Sequence, residues 1–188
     1  MAINTLYVDG GVLKSIRQNY LNQDAPNIKL ENFFQNAVFS LLQKKLLNSK
    51  YAWKFHPYKY SYSVAKIKEI DSFLHGDYFS KLVHGILGVK KFEIKYEIRK
   101  FMPGDYTLLH DAEKEKNGID FVIDFSLSSA SFGGHTTYLT ETEEVLILNP
   151  APNTLSFIKR DKGLMKFTKY VTHRQKTPIL QVVGTVYC

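Results

Sequence analysis

The run Lys91-Phe-Glu-Ile-Lys-Tyr-Glu-Ile-Arg-Lys-Phe101 alternates apolar and polar side chains over eleven residues. In a strand, successive side chains point to opposite faces, so this run predicts a long strand with one face buried and one polar. Such a strand needs neighbours to be stable, and the sequence supplies them. Strand patterns recur at Tyr106–His110, Asp120–Leu127, Thr136–Leu139, Val145–Leu148, Thr154–Ile158, Lys166–Val171 and Ile179–Tyr187. Pro103-Gly104-Asp105, Gly118, Gly133-Gly134, Pro150-Ala-Pro-Asn153 and Gly163 punctuate them. Eight short strands in under one hundred residues predict a sheet that folds back on itself as a sandwich or barrel.

The half before this run reads differently. Phe33, Phe34, Ala37, Val38, Leu41 and Leu42 recur at helical spacing within 30–47. Phe73, Leu74, Leu82, Val83, Ile86 and Leu87 do so within 72–87, and Gly88 is a stop signal. Between them Tyr51–Tyr62 alternates aromatic and polar residues, as a strand or an ordered loop would. We expect one α+β unit over 1–188: mainly helical support over 1–90, packed on one sheet of a jelly-roll core over 91–187. At 188 residues the chain can bury a full core without staples.

Composition narrows the chemistry. The one cysteine, Cys188, allows neither an intrachain disulfide nor a thiolate zinc site, which fits a reducing, cytoplasmic setting. No apolar run approaches the ~18 residues of a membrane span, and no leader peptide is expected at Met1-Ala-Ile-Asn-Thr-Leu6. The net charge of +7 permits an anionic partner without demanding one, and nucleic acid is a minor reading. Nucleotide-binding glycine motifs, nucleophile elbows and HExxH runs are absent. The pairs Lys44-Lys45, Lys90-Lys91 and Arg99-Lys100 read as solvated faces. The aromatics of 51–62, with Lys54 and Lys59 interleaved, read first as packing and second as a stacking surface for single strands. Of the six histidines, His110 and His173 are the most informative, since each sits at the end of an expected strand, at a rim where loops carry function.

Four segments, in order, resemble the Fe(II)/2-oxoglutarate oxygenases of the prolyl-hydroxylase-like branch. They are Asp71–Gly88, Arg99-Lys-Phe-Met-Pro-Gly-Asp-Tyr-Thr-Leu-Leu-His110, Phe132-Gly-Gly-His-Thr-Thr-Tyr-Leu139, and Asn149-Pro-Ala-Pro-Asn-Thr-Leu-Ser-Phe157. Together with the last strand they cover Asp71–Tyr187. The resemblance implies a double-stranded β-helix. It also implies iron held by two histidines and a carboxylate, 2-oxoglutarate anchored by a basic residue, and hydroxylation of a protein prolyl residue or a small molecule. It assigns His110 as the first ligand, with His173 and Asp111 as candidates for the rest. Lys176 or Arg174 would face 2-oxoglutarate, with Tyr106 nearby.

The motif departs from the family at specific positions. His110-Asp111-Ala112 puts alanine where the carboxylate belongs, and Asp111 would point to the opposite face of a regular strand. Aligning the last strands on Gly184 puts Thr168 at the second histidine and Ile179 at the basic anchor. These departures support an alternative: a pseudo-oxygenase that keeps the barrel as a peptide- or ligand-binding module. An iron halogenase of the His-x-Ala type is a lesser reading.

Overall fold

The computed structural model describes residues 2–109, 117–161 and 163–188. Four α-helices are present among them: α1 (Gly10–Leu21), α2 (Asn36–Leu47), α3 (Lys68–Leu74) and α4 (Asp77–Leu87). The strands are β1 (Asn27–Leu30), β2 (Ala52–His56), β3 (Tyr60–Ala65), β4 (Glu93–Phe101), β5 (Tyr106–Thr107) and β6 (Gly118–Asp124). β7 (Thr136–Leu139), β8 (Glu144–Leu148), β9 (Thr154–Arg160), β10 (Met165–Thr168) and β11 (Ile179–Tyr187) complete them. All pair antiparallel in the order β1-β9-β6-β11-β4-β3-β5-β10-β7-β8, with β2 added to β3.

β3 is where the sheet turns the corner. Its end, Ser63–Ala65, pairs with β4, while Tyr60 and Ser61 pair with β5. The larger layer therefore contains β1, β9, β6, β11 and β4, and the smaller contains β5, β10, β7 and β8. This is the curled antiparallel sheet of a double-stranded β-helix. Three strands of the first half join it, because the 51–62 alternation forms the β2–β3 hairpin and residues 27–30 pair with β9.

The two faces of the larger layer have opposite chemistry. Ile98, Phe121, Ile123, Leu155, Phe157, Leu180 and Val182 point outward into one apolar core with the helices. Phe79, Leu82, Val83 and Ile86 form the buried stripe of α4, and the Phe79 ring meets Phe121 at 5.3 Å, edge to face. Burying each such side chain contributes about 1.5–3 kcal/mol, which fixes the helical layer on this face. The inward face carries the alternate residues: Glu97 and Arg99 of β4, Gln181, Val183 and Thr185 of β11, and Asp120 and Val122 of β6.

The expected helix over 72–87 is two helices. α3 ends at Leu74, and a Cβ on Gly76 would come within 2.8 Å of the Ser72 carbonyl oxygen, so Gly76 permits the sharp break before α4. The expected helix over 30–47 starts only at Asn36, because Phe33 and Phe34 are drawn into the core as extended chain. α1, which carries no strong apolar stripe, was not anticipated; the Asp9 side chain caps it by accepting from Gly11 and Val12.

The motif segments have physical explanations. Asn153 sits at φ 58°, and its side chain accepts from the Phe34 amide at 2.8 Å and donates to the Phe34 carbonyl at 3.0 Å. It thereby clamps the first half of the chain to the barrel, and Leu155 and Phe157 follow it into the core. Gly133 has φ 96°, and a Cβ there would lie 2.0 Å from the Tyr170 carbonyl oxygen, so only glycine fits.

Candidate functional site

The space between the two layers is a cavity of about 290 Å³, lined by both polar and apolar side chains. Strand register explains its chemistry. On β11, Gln181 lies between Arg99 of β4 and Asp124 of β6, and Thr185 lies between Lys95 and Asp120. Gln181 and Thr185 therefore have polar neighbours on both sides across the ladder.

Asp120, 1% exposed, is the hub of one cluster. Its carboxylate accepts from Lys166 Nζ at 2.6 Å, Thr185 Oγ1 at 2.7 Å and Tyr138 Oη at 3.2 Å. Arg160 Nε stands 3.7 Å away, so two cations face one carboxylate. Burial pushes the Lys166 ammonium down from its ordinary value, while Asp120 pushes it back up. Burial, with the Asp120 carboxylate beside it, also holds the Tyr138 hydroxyl well above its ordinary value.

Glu97 is the hub of a second cluster. Arg99 donates to it from Nε at 2.9 Å and also pairs through a terminal nitrogen at 2.8 Å. Lys54 donates at 2.6 Å and the Tyr62 hydroxyl at 3.0 Å. Burial alone would raise the Glu97 carboxyl, but these donors outweigh it and hold the group at about 2. The Arg99 guanidinium also lies over the Tyr62 ring, 4.6 Å from its centroid.

Between the clusters lie Thr107, Thr136, Thr168 and Gln181. The Thr136 and Thr168 hydroxyls are 3.4 Å apart, and the Thr107 hydroxyl accepts the Thr168 amide at 2.7 Å. Gln181 is 3% exposed and donates to Asp124 at 3.0 Å. Its Oε1 is buried without a hydrogen-bond partner among the described residues. An orphaned acceptor in a polar cavity has a place for a donor from water or ligand.

His110 and Asp111, the first candidate ligands, lie outside the described residues. His173 and Arg174 form an exposed turn between β10 and β11, and Lys176 is exposed just beyond it. None of these three lines the cavity. Tyr106 turns its hydroxyl away to the Pro57 carbonyl at 3.1 Å, although its β5 neighbour Thr107 does line the cavity. Thr168 occupies a buried inward position on β10, where the alignment on Gly184 put the second histidine. Among the described residues, which include neither His110 nor Asp111, no group of three His, Cys, Asp or Glu side chains is placed to hold a metal. The hydroxyl of Thr168 is no substitute for an imidazole.

The residues that make the cavity distinctive were not singled out from sequence. Arg99 was grouped with solvated charges, yet it faces the cavity beside Glu97. Lys166 lies on a strand whose pattern looks ordinary, and its ammonium enters the interior. The missed signal was two acids in Asp120-Phe-Val-Ile-Asp124, at the period-two positions of a strand that is otherwise fully apolar.

Known proteins match this architecture and sequence. A prolyl 3-hydroxylase OGFOD1 from Mus musculus is 35% identical over 82 residues, which is 42% of this chain and 15% of that protein. The aligned segment is thus a small part of its relative. A crystal structure of a 2OG-Fe(II) oxygenase family oxidoreductase from Burkholderia pseudomallei superposes with TM-score 0.68 at 12% identity, covering 95% of this chain and 91% of that one. A prolyl hydroxylase from Trichoplax adhaerens, solved in complex with a hypoxia inducible factor oxygen degradation domain peptide fragment, gives TM-score 0.68 at 12% identity, covering 95% and 90%. These superpositions bear out the jelly-roll expected from sequence. A family model described as oxoglutarate and iron-dependent oxygenase degradation C-term matches residues 55–188, and the chain belongs to that family.

Proposed function

We propose that the chain is the oxygenase-like barrel of a prolyl-hydroxylase-related protein, and that the barrel binds a small dicarboxylate such as 2-oxoglutarate without needing iron. Kinship to 2-oxoglutarate/Fe(II) oxygenases makes those two cofactors the chemistry to test. The observation that carries the reading is the cavity at the centre of the barrel. It sets the Lys166 ammonium and Arg99 guanidinium beside threonine hydroxyls, with no metal-ligand set among the described residues. Its volume lies at the lower end of ligand-sized sites.

An entering carboxylate would share the Lys166 ammonium with Asp120, and the neighbouring hydroxyls would donate to it. The desolvated cation gains most from this, because an added anion replaces the solvation that burial removed. Prolyl hydroxylation is the activity named for the mouse relative; here it would need ligands from outside the described barrel residues. The reading therefore favours a binding module over a self-sufficient hydroxylase.

Calorimetric titration of 2-oxoglutarate and succinate into the protein tests it. Binding is expected for wild type and lost in Lys166→Met. The reading fails if wild type binds neither acid, or if Lys166→Met binds as tightly as wild type while remaining folded by circular dichroism.

A further inference from the structure

Outside the barrel, the least explained surface is the β2–β3 hairpin. Among the described residues β2 pairs only with β3, so no described strand covers its outer edge. Such edges are usually blunted by short length, charge or proline. Here five residues run along it, Ala52–Phe55 are all exposed, and Trp53 and Phe55 point together to one face. Trp53 is 66% exposed and Phe55 51%.

The other face of the hairpin opens into a groove of about 1070 Å³ running to α3, with Tyr51, Val64 and Ile98 among its apolar lining. Lys50, Lys66 and Lys68 line it, all exposed, and none makes a salt bridge among the described residues. Its acids are already engaged: Glu97 by Lys54 and Arg99, and Asp71 by the Tyr96 hydroxyl at 2.7 Å.

We propose that this edge docks an extended acidic segment of a partner protein, added as a strand beside β2. The chemistry prescribes an alternating sequence. Apolar side chains on one face would cover Trp53 and Phe55, and carboxylates on the other would meet Lys50, Lys66 and Lys68. A second copy of the chain fits poorly, because it would set lysines against lysines. Single-stranded nucleic acid fits less well too. Trp53 and Phe55 stack on each other at 5.0 Å and 20°, which consumes the facing ring surfaces that bases would use.

Trp53 is the chain's one tryptophan, so its fluorescence reports this edge directly. The probe is a synthetic peptide of alternating glutamate and leucine, compared with the same peptide carrying lysine for glutamate and with oligouridylate. The acidic peptide is expected to shift Trp53 emission to the blue. Its affinity should fall at least about tenfold in the triple variant Lys50→Glu, Lys66→Glu, Lys68→Glu, and fall with added salt. The proposal is overturned if the acidic peptide leaves Trp53 emission unchanged, or if the lysine peptide binds as well. It is also overturned if oligouridylate binds more tightly, or if sedimentation shows copies of the chain pairing through this edge.

Discussion

Lys166 shows how one residue can change meaning between sequence and structure. On β10 it reads as the polar member of an alternating strand. In the fold its ammonium reaches the carboxylate of Asp120, 46 positions away in the chain. A carboxylate ligand would favour the charged form of Lys166, so at pH values where the unliganded amine is partly neutral, binding should be accompanied by proton uptake. Dicarboxylate affinity should therefore rise as pH falls through the range where unliganded Lys166 loses its proton. Calorimetry in buffers of different ionisation enthalpy measures that uptake; the same heat in every buffer would contradict it. Asn153 is the opposite case, since the turn segment containing it was legible and only its task was hidden. Asn153→Ala leaves the Phe34 amide and carbonyl unpaired, and should cost about 2–4 kcal/mol by urea denaturation. The long-range partners of both side chains lie beyond any sequence window, which is why patterning alone could not assign them.

Strand existence was the most legible property at the level of elements. β7 and β11 run over the residues expected from sequence, and β4 differs only in starting at Glu93. What patterning could not say is which face of β4 meets solvent. The apolar face went to the helices as expected; on the polar face Glu93 and Lys95 stay in water, but Glu97 and Arg99 close over the cavity. Helix boundaries shifted where a break was set by packing, as at Gly76 between α3 and α4. Two predictions belong here. In β11, a Cβ on Gly184 would come within 2.5 Å of the Phe121 ring and 2.6 Å of the Lys95 carbonyl oxygen. Gly184→Ala should therefore destabilise the sheet by about 1–3 kcal/mol without changing cavity chemistry, as measured by thermal unfolding. In β4, Glu97 is held at about 2 against an ordinary 4.5. Its folded-state value is depressed, so its contribution is fully present above about 4.5 and lost as pH falls towards about 2. Denaturation midpoints should drop across that window, and Glu97→Gln should flatten the drop; an unchanged drop would show that other carboxylates cause it.

For the whole molecule, the double-stranded β-helix was legible because strand number, turn signals and motif order all pointed to it. The site was legible only in outline. The expected ligands were sought at a rim, and the described ones there, His173 with the nearby Arg174 and Lys176, are exposed and do not line the cavity. The cavity's own chemistry comes from side chains brought inward by pairing across two layers. Such groups look like ordinary surface charge in a linear chain. The fold thus places two ion-pair clusters, around Asp120 and Glu97, in the cavity between its layers. That arrangement predicts anion binding independent of iron. The most direct check is a 2-oxoglutarate titration run anaerobically in paired samples, one with excess chelator and one with Fe(II). Equal affinity and about one site per chain in both samples is the predicted result; binding that appears only when Fe(II) is present would contradict the account.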